Sequence, residues 1–257
     1  MRNPIAVTLS AAAASFILTL SSGAQESGTN TAVIPVPKLE DDRYDWNARH
    51  AQILKIKESA NPEIVLIGDS ITHFWGGEPK SDTANGPKAW DSVFGDRRVL
   101  NLGFGWDRTQ NVLWRIDHGE LDGIHPRFVV VQIGTNNTSG TANARENTAA
   151  EIAAGVMEIC TRIRRALPEA KIILTAIFPR EGKPDHSRRK LIDATNQLLA
   201  AAPRDPQITW LDIGPKMLTA DGTLEKAMMA DFCHPSEQGY QIWADALRPL
   251  IPPISTP

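Results

Sequence analysis

Apolar residues along this chain fall into two alternating kinds of run. Short stretches rich in β-branched residues occur at Ile64–Ile67, Val99–Leu102, Phe128–Ile133, Ile172–Ile177 and Ile208–Ile213, and such runs predict strands. Between them, apolar positions recur every three or four residues. One set is Ala149, Ile152, Val156, Ile159, Ile163 and Leu167; a second is Leu191, Thr195, Leu198 and Ala202; a third is Tyr240, Trp243, Leu247 and Leu250. This period predicts helices with one buried face. An earlier helix is predicted from Asp45 to Ser59, carrying Trp46, Ile53, Leu54 and Ile56. Strands and helices in alternation predict an α/β fold with a parallel sheet of about five strands between two helical layers. Phe128–Ile133 is almost continuously apolar, as expected of a strand covered on both faces. No internal repeat and no second boundary interrupts the pattern, so residues 45–257 read as a single three-layer α/β/α domain.

The segment ahead of that domain has a different character. Arg2 precedes an apolar run from Ile5 to Leu20, and Ser22-Gly23-Ala24 follows with small residues. This is the layout of a cleaved export signal over residues 1–24. Thr8, Ser10, Ser15 and Thr19 interrupt the run, which falls short of the ~20 apolar residues a membrane span prefers. The expectation is a secreted or periplasmic protein with no stable membrane insertion after cleavage. Residues 25–44 are expected to form a flexible leader, since Glu26 to Pro37 is rich in Ser, Gly, Thr, Asn and Pro.

Composition adds mainly exclusions. With 257 residues, 42% hydrophobic and 22% charged, the chain can bury a sizeable core. A formal charge of −3 gives no reason to expect a polyanion. Arg180, Lys183, Arg188, Arg189 and Lys190 form a basic cluster, but Glu181 and Asp185 break it and no aromatic residues interleave with it. It reads as a solvated loop and helix start rather than a nucleic-acid surface. Cys160 and Cys233 are too few for a disulfide framework, and both are expected to be reduced.

In an open parallel sheet, functional loops gather at the carboxyl ends of the strands. Three turns are expected there: Gly68-Asp69-Ser70-Ile71, Gly134-Thr135-Asn136-Asn137 and Asp231-Phe232-Cys233-His234. Together they supply a hydroxyl, an amide, a carboxylate and an imidazole, the groups an acyl transfer needs for attack, oxyanion binding, orientation and proton transfer. Each turn also has an ordinary structural reading. Asp69 or Ser70 can simply cap a helix, and Asn136 can be a turn residue. Asn101-Leu102-Gly103-Phe104-Gly105 continues as Trp106-Asp107-Arg108, so the third glycine of a dinucleotide loop is missing. Among the six histidines only His234 has an acid one turn before it and a helix start after it. His73 lies near Ser70 without such a partner. Asp231, Cys233 and His234 lack a second ligand pair at metal-binding spacing, so no metal is expected. No serine sits in a Gly-x-Ser-x-Gly elbow.

Gly68-Asp69-Ser70-Ile71, Gly103, Gly134-Thr135-Asn136 and Asp231-x-x-His234 resemble the successive blocks of the SGNH/GDSL hydrolase family. The stretch from Asn101 to Leu121, with Gly134 to Asn137, is similar to the branch that includes the catalytic subunits of platelet-activating-factor acetylhydrolase. The resemblance covers Pro62 to Leu250. It implies a flavodoxin-like sheet and a serine esterase without metal or cofactor. Its roles fall on Ser70 as nucleophile, His234 as base and Asp231 as orienter, with an oxyanion hole from the Ser70 and Gly103 N–H groups and the Asn136 side chain. Two positions depart from the family: Ile71 stands where leucine is usual, and Trp106 where relatives often carry a smaller residue. Trp75 and Trp106 are therefore expected beside a short, acetyl-sized acyl group, although core packing is the ordinary role of a tryptophan. The expected substrate is a small-molecule or carbohydrate acyl ester. Acetylated lipids or lysophospholipids are the rival substrates within the class. A non-catalytic small-ligand or glycan-binding module is the rival from another class, and it would not need all of Ser70, Asn136, Asp231 and His234.

Overall fold

The structure, a computed structural model, describes Met1, residues 28–203 and residues 205–253. The export signal expected over residues 1–24 lies outside the described residues apart from Met1. Five strands form one all-parallel sheet: β1 (Ile64–Gly68), β2 (Val99–Gly103), β3 (Phe128–Gln132), β4 (Lys171–Thr175) and β5 (Ile208–Leu211). Their order is β2-β1-β3-β4-β5, the flavodoxin-like arrangement, which reverses direction between β1 and β3. Ile64 of β1 aligns with Val99 on one side and Phe128 on the other, and Gly68 with Gly103 and Gln132. The C-terminal ends of the three strands are thereby level.

Side-chain alternation divides the core. Val65, Ile67, Val129, Val131, Ile172 and Leu174 face one cluster, completed by Ile152, Val156, Ile159 and Ile163 of α5 (Ala149–Ala166) and Ile192 and Leu199 of α6 (Ser187–Ala201). Ile64, Leu66, Phe128, Val130 and Ile173 face the other, where Tyr240, Trp243 and Leu247 of α7 (Glu237–Leu247) pack. Each such side chain taken from water contributes about 1.5–3 kcal/mol, which is why every interior strand is apolar on both faces. Helix ends follow their sequence. Thr148 and Glu151 form a reciprocal capping box at the start of α5. Asp45 caps α1 (Trp46–Ala60), which ends at Asn61 in the left-handed region. Three shorter helices, α2 (Ser70–His73), α3 (Pro87–Val93) and α4 (Thr109–Asp117), follow β1 and β2.

Residues 30–44 differ from a flexible leader. Asn30 caps a single 3-10 turn over Thr31–Val33, and Ala32 is buried. The Ala32 carbonyl accepts from Thr109 Oγ1 at 2.8 Å, and Val36 N–H donates to the Gln110 carbonyl at 3.2 Å. Composition alone missed this because these two contacts use main-chain carbonyl and N–H groups, which a residue carries whatever its side chain. Among the described residues no helix is long and apolar enough to cross a membrane.

Candidate active site

β1 ends at Gly68, where a Cβ would lie 2.1 Å from Thr72 Oγ1 and 2.4 Å from the Gln132 carbonyl oxygen. Only glycine lets the chain turn there into α2. Asp69 Oδ1 accepts from the Ile71 N–H at 2.9 Å, so the capping role is real and Ser70 is left to open the helix. α2 is a single turn, too short to gather much dipole. It offers the Ser70 N–H, which has no acceptor one turn earlier within the helix.

Ser70 Oγ lies 2.8 Å from His234 Nε2, and His234 Nδ1 lies 2.6 Å from Asp231 Oδ2. The other carboxylate oxygen, Asp231 Oδ1, accepts from the N–H groups of Cys233 at 3.0 Å and His234 at 2.8 Å. One short turn thus fixes both the acid and the imidazole. Burial pushes the Asp231 carboxyl up, but hydrogen bonds from the His234 ring and backbone outweigh it and hold the group below the usual carboxylate range. The ionised carboxylate accepts Nδ1–H, which leaves the Nε2 lone pair facing the serine hydroxyl. Burial drives the Cys233 thiol up to about 11, so the neighbouring sulfur does not compete as a nucleophile.

Asn136 stands in the 3-10 turn Thr135–Thr138 after β3. Its Nδ2 donates to the Asp107 carbonyl at 2.9 Å. An amide carries two such hydrogens, so one remains for a ligand. Asp107 is itself held: its carboxylate accepts from Trp46 Nε1 at 2.7 Å and from the buried Arg115 at 2.8 Å. Gly103 departs from expectation. Its N–H donates to Asn101 Oδ1 at 2.8 Å, because a strand-end asparagine folds back onto the backbone two residues on. The donor assigned to Gly103 is therefore engaged. Its lack of a side chain still matters, since a Cβ would sit 2.3 Å from the His73 nitrogen and force α2 off β2.

The two tryptophans part company. Trp75 is 0% exposed and packs among Trp90, Phe94, Tyr240 and Trp243, so its expected place beside substrate is corrected to core. Trp106 is 48% exposed, on the loop whose Asp107 holds Asn136. His73 is buried and accepts from the Gly105 N–H at 3.3 Å through Nδ1. Burial, with the charges of Arg49, Lys38 and Arg115, lowers its pKa to about 3. It is neutral at working pH and is committed to the loop, not to Ser70. Sequence reasoning missed Asn101 and Phe74, whose ring lies 5.4 Å from that of His234. The position of Asn101 two residues before Gly103 was an available signal; nothing marked Phe74.

A flavodoxin-like sheet with a serine and an imidazole joined across its C-terminal edge defines a class of acyl hydrolases. The model of the GDSL-like lipase/acylhydrolase family matches residues 66–242, and the chain belongs to that family. Rat platelet-activating factor acetylhydrolase IB subunit alpha1 is 31% identical over 226 residues, 87% of this chain and 90% of the relative. Its alpha2 counterpart is 31% identical over 229 residues, 88% and 92% of the two chains. Among solved structures, a GDSL-like lipase from Bacteroides thetaiotaomicron superposes with a TM-score of 0.59 at 17% identity, covering 79% of this chain and 98% of that one. An acetylxylan esterase from Geobacillus stearothermophilus gives 0.58 at 19% identity, with 73% and 93% covered. The protein is a carboxylic ester hydrolase.

Proposed function

We propose that this protein is an exported esterase that removes short, acetyl-sized acyl groups from carbohydrate alcohols through Ser70, His234 and Asp231. The observation that carries the mechanism is the unbroken line of contacts from Ser70 Oγ through the imidazole to Asp231. His234 Nε2 takes the hydroxyl proton as Oγ attacks the ester carbonyl. The Ser70 N–H and the remaining Asn136 N–H receive the developing oxyanion. Collapse breaks the C–O bond to the alcohol, which leaves with the proton from His234. Water, deprotonated by the same imidazole, then releases the acid and restores Ser70. Turnover of nitrophenyl acetate tests this. Ser70→Ala and His234→Ala are expected to lose at least ~10³-fold in kcat, and His73→Ala far less. Full activity in Ser70→Ala would refute the mechanism.

A carbohydrate alcohol is favoured by a cleft lined in part by Phe74, whose ring also neighbours that of His234. It holds about 310 Å³ and is bordered by Arg43, Tyr44, Gln52, Phe74, Lys80 and Asp82. Charged groups of both signs beside two aromatic rings suit a hydroxyl-rich ring better than an aliphatic tail. Acetylated xylo-oligosaccharides are expected to outperform an acetylated ether lipid in kcat/KM, and the reverse order would move the assignment to lipids. Export is carried by residues 1–24. Protein recovered outside the cytoplasm is expected to begin near Gln25, and an intact Met1 would exclude cleavage.

A further inference from the structure

Among the described residues outside glycine, positive φ occurs at Asn61, Trp106, Glu181 and Phe232. Asn61 is the C-cap of α1; the other three border the catalytic groups. Phe232, at φ 57°, lies between Asp231 and His234, and its carbonyl accepts from the N–H of Glu181 at 2.9 Å, itself at φ 64°. Two bulky side chains in the left-handed region persist only where surrounding structure over-determines them. The over-determining group is Arg189, from the cluster that composition assigned to solvent. It is 1% exposed. Its Nε donates to the Arg180 carbonyl at 2.8 Å, Nη1 to the Gly222 carbonyl at 3.0 Å, and Nη2 to the Glu181 carbonyl. Arg180 extends the line: its Nη1 donates to the Thr135 carbonyl at 3.3 Å and Thr135 Oγ1 at 3.4 Å, one residue before Asn136.

We infer that Arg189 and Arg180 are positioning residues which hold the base turn and the oxyanion turn in register through the loop at residues 180–182. Neither touches the reacting atoms. Arg189 clamps the loop, the loop's Glu181 N–H fixes the turn carrying Asp231 and His234, and the Arg180 side chain fixes the turn carrying Asn136. The planar fork of arginine reaches three carbonyls at once, which the single ammonium of lysine cannot reproduce. A shift of about 1 Å in an otherwise intact site can cost on the order of 10² in rate.

This inference rests on the proposed triad, so Ser70-dependent turnover of nitrophenyl acetate by the wild type is measured first; its absence overturns both. Arg189→Lys is then expected to lower kcat roughly 10²-fold with KM within about twofold. Arg188→Ala, which removes a half-buried ion pair to the Glu181 side chain and no hydrogen bond to the loop's carbonyls, is expected to leave kcat unchanged. A purely structural role would also reduce activity, so a double-mutant cycle is decisive. In an Asp231→Asn background, Arg189→Lys is expected to cost less than about threefold, because the group it positions is already disabled. Equal losses in the two backgrounds overturn the inference while leaving the triad intact. Should Arg189→Lys fail to fold by circular dichroism, Arg180→Met against Asn136→Ala decides on the same criterion.

Discussion

Asp69 adjoins Ser70 in sequence yet has no exposed surface. Oδ1 accepts from Ile71, whereas Oδ2 has no partner. Burial pushes its carboxyl up to about 7. In the unfolded chain it ionises near ~4. Between about pH 4 and the folded value the native state therefore binds more protons than the unfolded state, and stability falls as pH rises through that window. Asp69→Asn keeps an acceptor for Ile71 but cannot ionise. Its melting temperature is expected to gain on the wild type as pH rises from about 4 to 8, and parallel melting curves across that range would refute this. The tryptophans separate equally cleanly. Trp75→Ala is expected to destabilise by about 3–5 kcal/mol, read as a lower denaturant midpoint, with KM unchanged. Trp106, at φ 62°, is expected to behave oppositely. Trp106→Gly relaxes the backbone, leaves stability equal or higher by about 1 kcal/mol, and raises octanoate cleavage relative to acetate. An unchanged ratio would remove Trp106 from the acyl pocket.

Helix α5 shows how element-scale effects compete. Gly155 is mid-helix, where alanine is ordinarily better by about 1 kcal/mol. Here a Cβ would lie 2.7 Å from both the Ala32 carbonyl oxygen and Thr109 Oγ1, and overpacking of that kind costs about 1–3 kcal/mol. Crowding is expected to win: Gly155→Ala should lower the unfolding midpoint, and a rise would mean that the residues around Ala32 yield without loss. The same opposition explains which elements were legible in sequence. The apolar period of α5 announces a helix because its buried face is aliphatic. α1 buries Arg49, His50 and Lys57 beside Trp46 and Ile53, so its hydrophobic pattern is weak, and its N-cap Asp45 carries part of the signal. Arg189 was illegible for a related reason. A guanidinium reads as solvent-facing until three carbonyls converge on it, and no sequence spacing encodes that convergence.

At the scale of the molecule, the strand pattern and the turns after β1 and β3 were legible because each depends on neighbours in sequence. The turn Asp231–His234, expected at a strand end, instead lies well beyond the end of β5 at Leu211 and just ahead of α7. Contacts that use backbone groups at long range were not legible, and residues 30–44 are the largest case. Their packing is extensive: Thr109 Oγ1 donates to the Ala32 carbonyl and Asn111 Nδ2 to the Val36 carbonyl, Arg145 Nη2 donates to the carbonyl of the adjoining Thr29, and side-chain bonds from Asn147 Nδ2 to Thr31 Oγ1 and from Thr141 Oγ1 to Glu40 join them. Tyr44 adds a hydrogen bond to the Gly105 carbonyl, next to Trp106. At about 0.5–1.5 kcal/mol net for each bond, their loss sums to several kcal/mol, before counting the burial of Ala32. For a domain of this size about 1 kcal/mol shifts the melting temperature by roughly 2–4 °C. A chain beginning at Gln25 is therefore expected to melt roughly 10–20 °C above one beginning at Asp45. The shorter chain is expected to lose activity below its own melting temperature as well, because Tyr44 no longer donates to the Gly105 carbonyl and the loop that carries Trp106 and Asp107 loosens around Asn136. Equal melting temperatures would return these residues to the status of a dispensable leader. A lower melting temperature with undiminished kcat would show that they stabilise the sheet without shaping the site.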